Sequence, residues 1–257
     1  TVLCACGDES QSEVGGTGSD GTSTSGEAVT GGELVVGISQ DLGDSLDPYQ
    51  MTAAGTREVL FNVYEGLVKP TSTGEYVPAV ASDSTVSEDG LTYTFPLREG
   101  VLFHNGEEVT TDDVIYSFET CAETTVDTAL AAALSAVESV TADGNTITVT
   151  LSEANPDFLS YVGMVYIVPD DYTDQATAPV GTGPFRFVSR SVQQNLVMEK
   201  FADYWGEGAS LDKVTFQIFE DSNALMSALS AESVDMAVHL TIDQVNTIGE
   251  GTYKTLE

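Results

Sequence analysis

The chain has 257 residues, of which 41% are hydrophobic, enough for one large or two small domains with a buried core. It carries 41 acidic and 8 basic residues, a net charge of −33, and no Lys or Arg precedes Arg57. This balance argues against binding to nucleic acid or to anionic membrane surfaces and indicates a strongly solvated surface. The sequence also lacks an apolar run near the roughly 20 residues that span a bilayer.

The first residues resemble a bacterial lipobox, the site at which a lipoprotein signal is cleaved. In Leu3-Cys4-Ala5-Cys6, small residues precede Cys6, whereas the bulky Leu3 stands directly before Cys4. We therefore expect Cys6 to carry a lipid and residues 1–5 to be the remnant of a cleaved signal. The alternative is an arbitrary disordered N-terminus.

The next segment is almost entirely Gly, Ser, Thr, Asp and Glu. Such a composition buries too little apolar surface to offset its ordering entropy, so residues 6–32 are predicted to form a lipid-anchored flexible tether.

The first folded elements are predicted from residue 33 onward. Residues 33–38 form an apolar run that predicts a buried strand, followed by a loop of turn residues at 39–48. From Arg57 to Leu67 the apolar residues recur at helical spacing, which predicts a helix.

The densest run of readable structure lies between Ser87 and Glu119. A turn at Gly90 leads into an alternating strand at 91–95, and residues 101–103 predict a second short strand before the hairpin signal Asn105-Gly106. Thr110 and Asp113 form a capping-box pattern that starts a helix with a buried face. Cys121 lies on that face and is expected to be a buried thiol.

The middle segment continues as a mixed α+β module. We expect an Ala-rich helix within 126–137, a strand pair at 137–141 and 145–151, a short helix after Asn155, and a strand at 164–168.

The last part of the sequence predicts a return to a main sheet. Gly181 and Gly183 flank Thr182 and predict a backbone that passes close to another segment. A hairpin at 185–200 follows, and then a strand, a helix and a strand between 214 and 238, which implies a parallel crossover in an α/β sheet.

Several motifs in this order resemble one protein family. They are Leu46-Asp47-Pro48, Asn62 to Leu67 (NVYEGL), Asp89 to Phe118, Gly181 to Phe185 (GTGPF) and Tyr204-Trp205. This pattern resembles the peptide/nickel group of extracellular solute-binding proteins that serve ABC importers. One departure is Glu232, where the family usually has Gly, so the helix there must either end in a left-handed cap or end differently.

The resemblance implies an α/β (α+β) chain with a two-lobed, type II periplasmic-binding-protein-like fold. Only the first lobe and its accessory subdomain are expected in this chain, because members of the family are about twice as long. The implied segments are lobe I at 33–74, the accessory α+β subdomain at 75–180, and lobe I again at 181–257, truncated before lobe II.

The resemblance also implies a function. We expect an extracytoplasmic lipoprotein, anchored on the outer face of the bacterial cytoplasmic membrane, that captures di- or oligopeptides and delivers them to ABC permease subunits by hinge closure. The full-length protein is expected to be a monomer without cofactors. The alternatives are binding of nickel or another metal chelate, and a non-transport surface sensor or adhesin.

In this family the end of the first strand faces the ligand cleft. Gln40, Asp41 and Ser45 are therefore the candidate ligand-binding residues, with Tyr64 as a fourth through its hydroxyl.

An enzyme is not expected. The two histidines, His104 and His239, lack an accompanying nucleophile motif, metal-ligand spacing or nucleotide-binding loop. Gly181-Thr182-Gly183 lacks the Lys and the following helix of a phosphate-binding loop.

Overall fold

The computed structural model describes residues 2–5, 30–248 and 253–256. Within these ranges the chain forms two compact units. The first unit contains residues up to 41, then 191–196, and 210 onward, whereas the second contains residues 42–190 and 197–209.

The first unit is built on a sheet with a parallel centre. Strand β2 (Glu33–Ile38) pairs in parallel with β11 (Lys213–Ile218) on one side and with β12 (Met236–Ala237) on the other. Helix α5 (Ser222–Ser230) connects β11 to β12 across β2. The predicted parallel crossover is therefore confirmed, although β12 is shorter than the predicted strand.

Helix α5 packs its apolar face on this sheet. Leu225 and Leu229 are buried with Val234, Ala237 and Leu240. Asp221 caps the helix, because its carboxylate accepts hydrogen bonds from the backbone N–H groups of Asn223 and Ala224. A Cβ atom on Gly37 of β2 would lie 2.2 Å from Leu225 Cδ1, so this glycine permits close helix–sheet packing.

Three elements complete the first unit. Strand β1 (Val2–Ala5) pairs antiparallel with β12 and with β13 (Tyr253–Leu256), and helix α6 spans Ile242–Ile248. Cys6 and residues 7–29 lie outside the described residues, so the lipid and the tether stay predictions. That residues 1–5 are the remnant of a cleaved signal also stays a prediction, although residues 2–5 form β1.

The second unit contains a four-stranded antiparallel sheet in the order β5-β6-β8-β7. These strands are β5 (Thr85–Val86), β6 (Thr92–Pro96), β7 (Val137–Asp143) and β8 (Thr146–Leu151). Alternate side chains of β6 and β8 are buried, as the period-two pattern predicts: Tyr93, Phe95, Ile147, Val149 and Leu151.

Helix α2 (Thr111–Thr124) contributes the largest helical face to this unit. Thr110 Oγ1 accepts a hydrogen bond from Asp113 N, and Asp113 Oδ2 accepts one from Thr110 N, which completes the predicted capping box. Val114, Phe118 and Cys121 are buried, and burial raises the pKa of the Cys121 thiol to about 12. The expected buried thiol is therefore confirmed.

The remaining elements of the second unit are short. They are α1 (Ala54–Leu60), α3 (Thr128–Leu134), α4 (Phe158–Val162) and the hairpin of β3 (Val68–Pro70) with β4 (Tyr76–Pro78). The predicted hairpin at 185–200 is confirmed as β9 (Phe185–Ser191) and β10 (Asn195–Lys200), whose tip belongs to the first unit.

Two predicted strands are wrong. Residues 101–103 form only an isolated bridge, Leu102 to Glu108, around the Asn105-Gly106 turn. Residues 164–168 are not a strand, because the turn after α4 uses the Val165 N–H, which donates to Tyr161 O, and Ile167 N donates to Glu65 O.

The predicted helix at 57–67 is also wrong in its second half, since α1 spans Ala54–Leu60. Carbonyl groups that a longer helix would use accept other hydrogen bonds. Gly183 N donates to Val63 O, Phe185 N to Asn62 O, and Ile167 N to Glu65 O. The chain therefore leaves the helix to pair with two later segments.

The contact-based units also differ from the predicted segment borders. Residues 42–74 and 181–190 belong to the same unit as the predicted accessory subdomain. The assignment of segments to lobes stays a prediction.

Candidate functional site

Three of the sequence motifs meet around one buried carboxylate, that of Glu65. Its Oε1 accepts hydrogen bonds from Lys69 Nζ at 3.1 Å and from the Tyr204 hydroxyl at 2.7 Å. Its Oε2 accepts from Trp205 Nε1 at 2.7 Å and from Thr182 Oγ1 at 3.3 Å. Glu65 is only 5% exposed, and these donors replace the water that its charge loses on burial.

Two cations lie against the indole ring of Trp205. The Arg98 guanidinium carbon is 4.2 Å from the ring centroid and Lys69 Nζ is 5.0 Å from it. Arg98 also donates to the backbone oxygens of Ala79 and Ala81. Trp205 is therefore a packing residue that joins motifs distant in sequence.

His104 holds the Gly181–Gly183 segment in place. Its Nδ1 accepts from Gly181 N, and its Nε2 donates to Gly183 O at 2.9 Å, which fixes a neutral tautomer. Desolvation lowers the pKa of His104 to about 4. This geometry supports a structural role for His104.

The largest cavity described here lies in the second unit, at the start of α1. It has a volume of about 550 Å³, and we call it the polar cavity. Its lining combines two opposite charges with small and aromatic side chains: Thr52, Ala53, Ala54, Arg57, Glu58, Phe61 and Tyr166. A roomy cavity with a few convergent polar groups is the usual form of a small-molecule site.

The Arg57 side chain is oriented from one side. Its Nη1 donates to Asp127 Oδ2 at 3.1 Å, and Asp127 is itself fixed because Oδ1 accepts from the N–H groups of Ala129 and Leu130 at the start of α3. These backbone hydrogen bonds, and then Arg57, lower the pKa of Asp127. The other guanidinium nitrogens have no hydrogen-bond partner among the described residues, so they can donate to an anionic group.

The Tyr166 wall of the polar cavity is also fixed. Its backbone oxygen accepts from the Tyr49 hydroxyl at 2.6 Å, and its ring stacks on Tyr64 with centroids 5.7 Å apart. The cavity therefore has one preformed aromatic wall and one charged helix face.

A second polar cavity, of about 410 Å³, lies in the first unit at the carboxyl ends of β2 and β11. It is lined by Ser39, Asp41, Gln193, Ile218, Phe219 and Glu220. The carboxyl ends of parallel strands are a common ligand position in open α/β sheets. This cavity carries acidic groups but no basic side chain in its lining.

The structure separates the four predicted ligand-binding residues. Asp41 lines the cavity of about 410 Å³ in the first unit, whereas Gln40 is exposed and outside its lining. Ser45 Oγ accepts from Asp47 N in a local turn. The Tyr64 hydroxyl is buried and bonded to Leu46 O and Gln175 Oε1. Their roles in binding stay predictions.

The sequence reasoning did not identify the lining of the polar cavity. Arg57 is the first basic residue of an acidic chain, and this was the available signal. Its partner Asp127 lies 70 positions away, and Tyr166 lies in the segment wrongly predicted as a strand.

Two further observations concern membranes and metals. In the described part of the chain, no helix has the length and apolar character needed to cross a bilayer. The same residues contain no group of three or more His, Cys, Asp or Glu side chains placed to hold a metal ion.

Comparison with known proteins places the chain in a family. The family model described as bacterial extracellular solute-binding proteins, family 5, middle region, matches residues 75–256. The chain belongs to this family. The resemblance drawn from the motifs is therefore confirmed.

Individual relatives bind different solutes, according to their names. The chain is 30% identical over 184 residues to the nickel-binding periplasmic protein of Escherichia coli, a match that covers 68% of this chain and 35% of that protein. It is 33% identical over 208 residues to heme-binding protein A of Haemophilus influenzae, covering 68% and 38%.

A solved structure confirms the fold class. The ABC transporter-associated periplasmic binding protein DppA from Helicobacter pylori, in complex with the peptide STSA, matches with a TM-score of 0.78 and 29% identity. The match covers 86% of this chain and 49% of that one. The family 5 chain therefore carries part of a type II periplasmic-binding-protein-like fold and spans less than half the length of these relatives.

Proposed function

We propose that the polar cavity is one wall of a solute site, and that the protein captures short peptides outside the cytoplasmic membrane for an ABC importer. The observation that carries this proposal is that Arg57 and Glu58, two opposite charges, both line one cavity of about 550 Å³. A peptide is a zwitterion, so its carboxylate suits the guanidinium and its ammonium group suits the carboxylate.

Family membership supports the same class of ligand. One of the structural neighbours holds a tetrapeptide, and the fold of that protein matches most of this chain. The second half of such a site would come from the part of the relatives that this chain does not span.

A metal chelate is the second candidate solute, because one relative is a nickel-binding protein. The described residues offer no cluster of metal ligands, so a metal would have to arrive with an organic chelator. The carboxylates of such a chelator would meet the same guanidinium. A non-transport surface sensor or adhesin remains the alternative from another class.

The mechanism in the proposed function is closure of two lobes over the solute, followed by docking of the closed, monomeric form on the permease. A lipid on Cys6 would hold the protein at the outer face of the cytoplasmic membrane. Labelled fatty acid that is incorporated equally by the wild type and the Cys6→Ser variant would contradict this anchor.

The test uses the protein expressed from its complete gene. Its thermal unfolding is measured with buffer alone, with a series of di- to tetrapeptides, and with nickel plus histidine. A bound solute raises the melting temperature because it stabilises only the native state. We expect stabilisation by peptides and weaker stabilisation in Arg57→Gln.

The matched control for this variant is Arg186→Gln. Arg186 also forms an exposed ion pair, with Glu199, but lines none of the cavities described above. Peptide stabilisation should be unchanged in this control. If nickel plus histidine stabilises the protein and peptides do not, the solute is a metal chelate and not a peptide. If neither solute stabilises the protein, the solute-binding proposal is contradicted.

A further inference from the structure

A smaller cavity lies beside the polar cavity in the second unit. It has a volume of about 180 Å³, and the two cavities share Phe61 and Tyr166 as walls. We call it the aromatic cavity because of the side chains that dominate its lining, which are Phe61, Tyr64, Tyr76, Met164, Tyr166 and Tyr204.

Three polar side chains around the aromatic cavity already have partners inside the protein. The Tyr64 hydroxyl bonds to Leu46 O and Gln175, and the Tyr204 hydroxyl donates to Glu65. Lys69 Nζ donates to Glu65 and to Tyr204. An apolar group can therefore enter without leaving these groups unpaired, whereas a charged group would find no free partner among them.

The volume sets the size of that apolar group. An engineered apolar cavity of about 150 Å³ holds one benzene molecule, so 180 Å³ suits a six-membered ring or a branched aliphatic side chain. Phe61, on the shared wall, is 55% exposed, so its ring can turn without disturbing a packed core.

We propose that the aromatic cavity receives the hydrophobic side chain of a peptide whose charged groups occupy the polar cavity. This inference rests on the proposed function and narrows it to peptides that carry a bulky hydrophobic residue. Met164 and Tyr76 then act as specificity-determining residues, since they line the aromatic cavity but not the polar one.

The first experiment examines the cavity without a peptide. Toluene, an uncharged probe, is added to the 257-residue chain and its binding is followed by saturation-transfer NMR. Met164 is half-buried, so Met164→Trp can fill the cavity without opening the core, and Val126→Trp is the control at an exposed position outside the lining.

We expect toluene to bind the wild type and Val126→Trp equally and to bind Met164→Trp at least tenfold more weakly. Circular dichroism melting confirms that both variants are folded. Equal binding to Met164→Trp, or no binding to the wild type, would overturn the aromatic cavity as a site.

The second experiment measures peptide preference in the protein from the complete gene. Burying a Phe side chain contributes enough free energy for at least a tenfold preference for Gly-Phe over Gly-Gly, and Met164→Trp should abolish it. If both dipeptides bind through Arg57 without a preference, the inference fails and the proposed function stands. If neither dipeptide binds but toluene does, the proposed function fails and the cavity remains an apolar site.

Discussion

Glu65 is the residue on which the motifs depend for their mutual packing. Four donors from three separate segments satisfy its carboxylate, and they are Lys69, Thr182, Tyr204 and Trp205. Replacing the carboxylate by a smaller apolar group leaves the indole N–H and the hydroxyls without their acceptor. The substitution therefore destabilises the packing of several segments at once.

We predict that Glu65→Ala lowers the free energy of unfolding by about 3 kcal/mol, because it removes a buried carboxylate and leaves several hydrogen-bond donors without an acceptor. Urea denaturation followed by circular dichroism measures this. Glu88→Ala is the control, since Glu88 lies in an exposed turn, and its effect should stay within about 0.5 kcal/mol. Equal effects of the two substitutions would show that the Glu65 network does not stabilise the fold.

The neutral His104 makes stability depend on pH. Its pKa of about 4 in the folded state lies below the ordinary value of 6.5, because burial disfavours the imidazolium. The stabilising contribution is therefore fully present above pH 6.5 and is lost as the pH falls from 6.5 to 4.

NMR titration should show that the His104 ring stays neutral down to about pH 5. In His104→Gln, which can keep one donor and one acceptor at this place, the loss of stability between pH 6.5 and 4 should be smaller than in the wild type. A His104 resonance that titrates near pH 6.5 would contradict this account.

At the scale of elements, the end of α5 shows how a single residue sets a helix terminus. Ser233 N donates to Ala228 O and Glu232 N to Leu229 O, which is the Schellman arrangement, and Glu232 adopts φ = 54°. The first of the two endings inferred from the sequence, a left-handed cap, is therefore confirmed.

We predict that Glu232→Gly raises the free energy of unfolding by about 1 kcal/mol, because Gly adopts this conformation without the strain of a Cβ atom. The thermal midpoint of the purified chain is the measurement. Glu232→Ala removes the same charge but keeps Cβ, so it should give little gain. A gain as large in the Ala variant would assign the effect to charge instead of backbone strain.

The crossing at Gly181 and Gly183 is a second element that depends on the absence of side chains. A Cβ on Gly181 would lie 2.3 Å from Val63 O, and one on Gly183 would lie 2.4 Å from Asn62 O. An added Cβ would therefore force the backbone near Asn62 and Val63 to move. Val63 O also accepts the hydrogen bond from Gly183 N, which this movement would disturb.

Gly181→Ala should therefore destabilise the chain by about 3 kcal/mol or prevent folding. Gly43→Ala is the control, because its Cβ would meet only ordinary contacts at 3.6 Å or more. Urea midpoints of the two variants test this, and similar midpoints would contradict the close crossing.

The sequence predicted those elements whose signals are local. The capping box at Thr110, the alternation in β6 and β8, and the crossover through α5 depend on neighbouring residues or on regular spacing. The end of α1 at Leu60 and the irregular segment around Tyr166 depend on hydrogen bonds to distant segments, which spacing does not reveal.

The candidate site was harder to predict than the fold. Loop residues after β2 were reasonable candidates because strand ends often face ligands, and Asp41 does line a cavity. The polar cavity, however, joins the start of α1 to a segment more than 100 positions later, and only tertiary structure brings these together.

In a chain with so large an excess of acidic residues, a basic side chain in the lining of the polar cavity is unusual. The chain has 8 basic residues against 41 acidic ones. One of the few, Arg57, lines a cavity, and only its Nη1 has a hydrogen-bond partner among the residues that the structure describes. The chain spans less than half the length of its relatives, so we expect its own affinity for a solute to be weak and to lie in the millimolar range.

Residue-resolved NMR detects such weak binding and locates it. Backbone amide shifts of the ¹⁵N-labelled chain are recorded during a titration with Gly-Phe up to about 10 mM. The account predicts shifts concentrated at residues 52–58, Phe61 and Tyr166. Shifts concentrated at Ser39, Asp41, Gln193 and Glu220, or the absence of any shift, would contradict the polar cavity as the solute site.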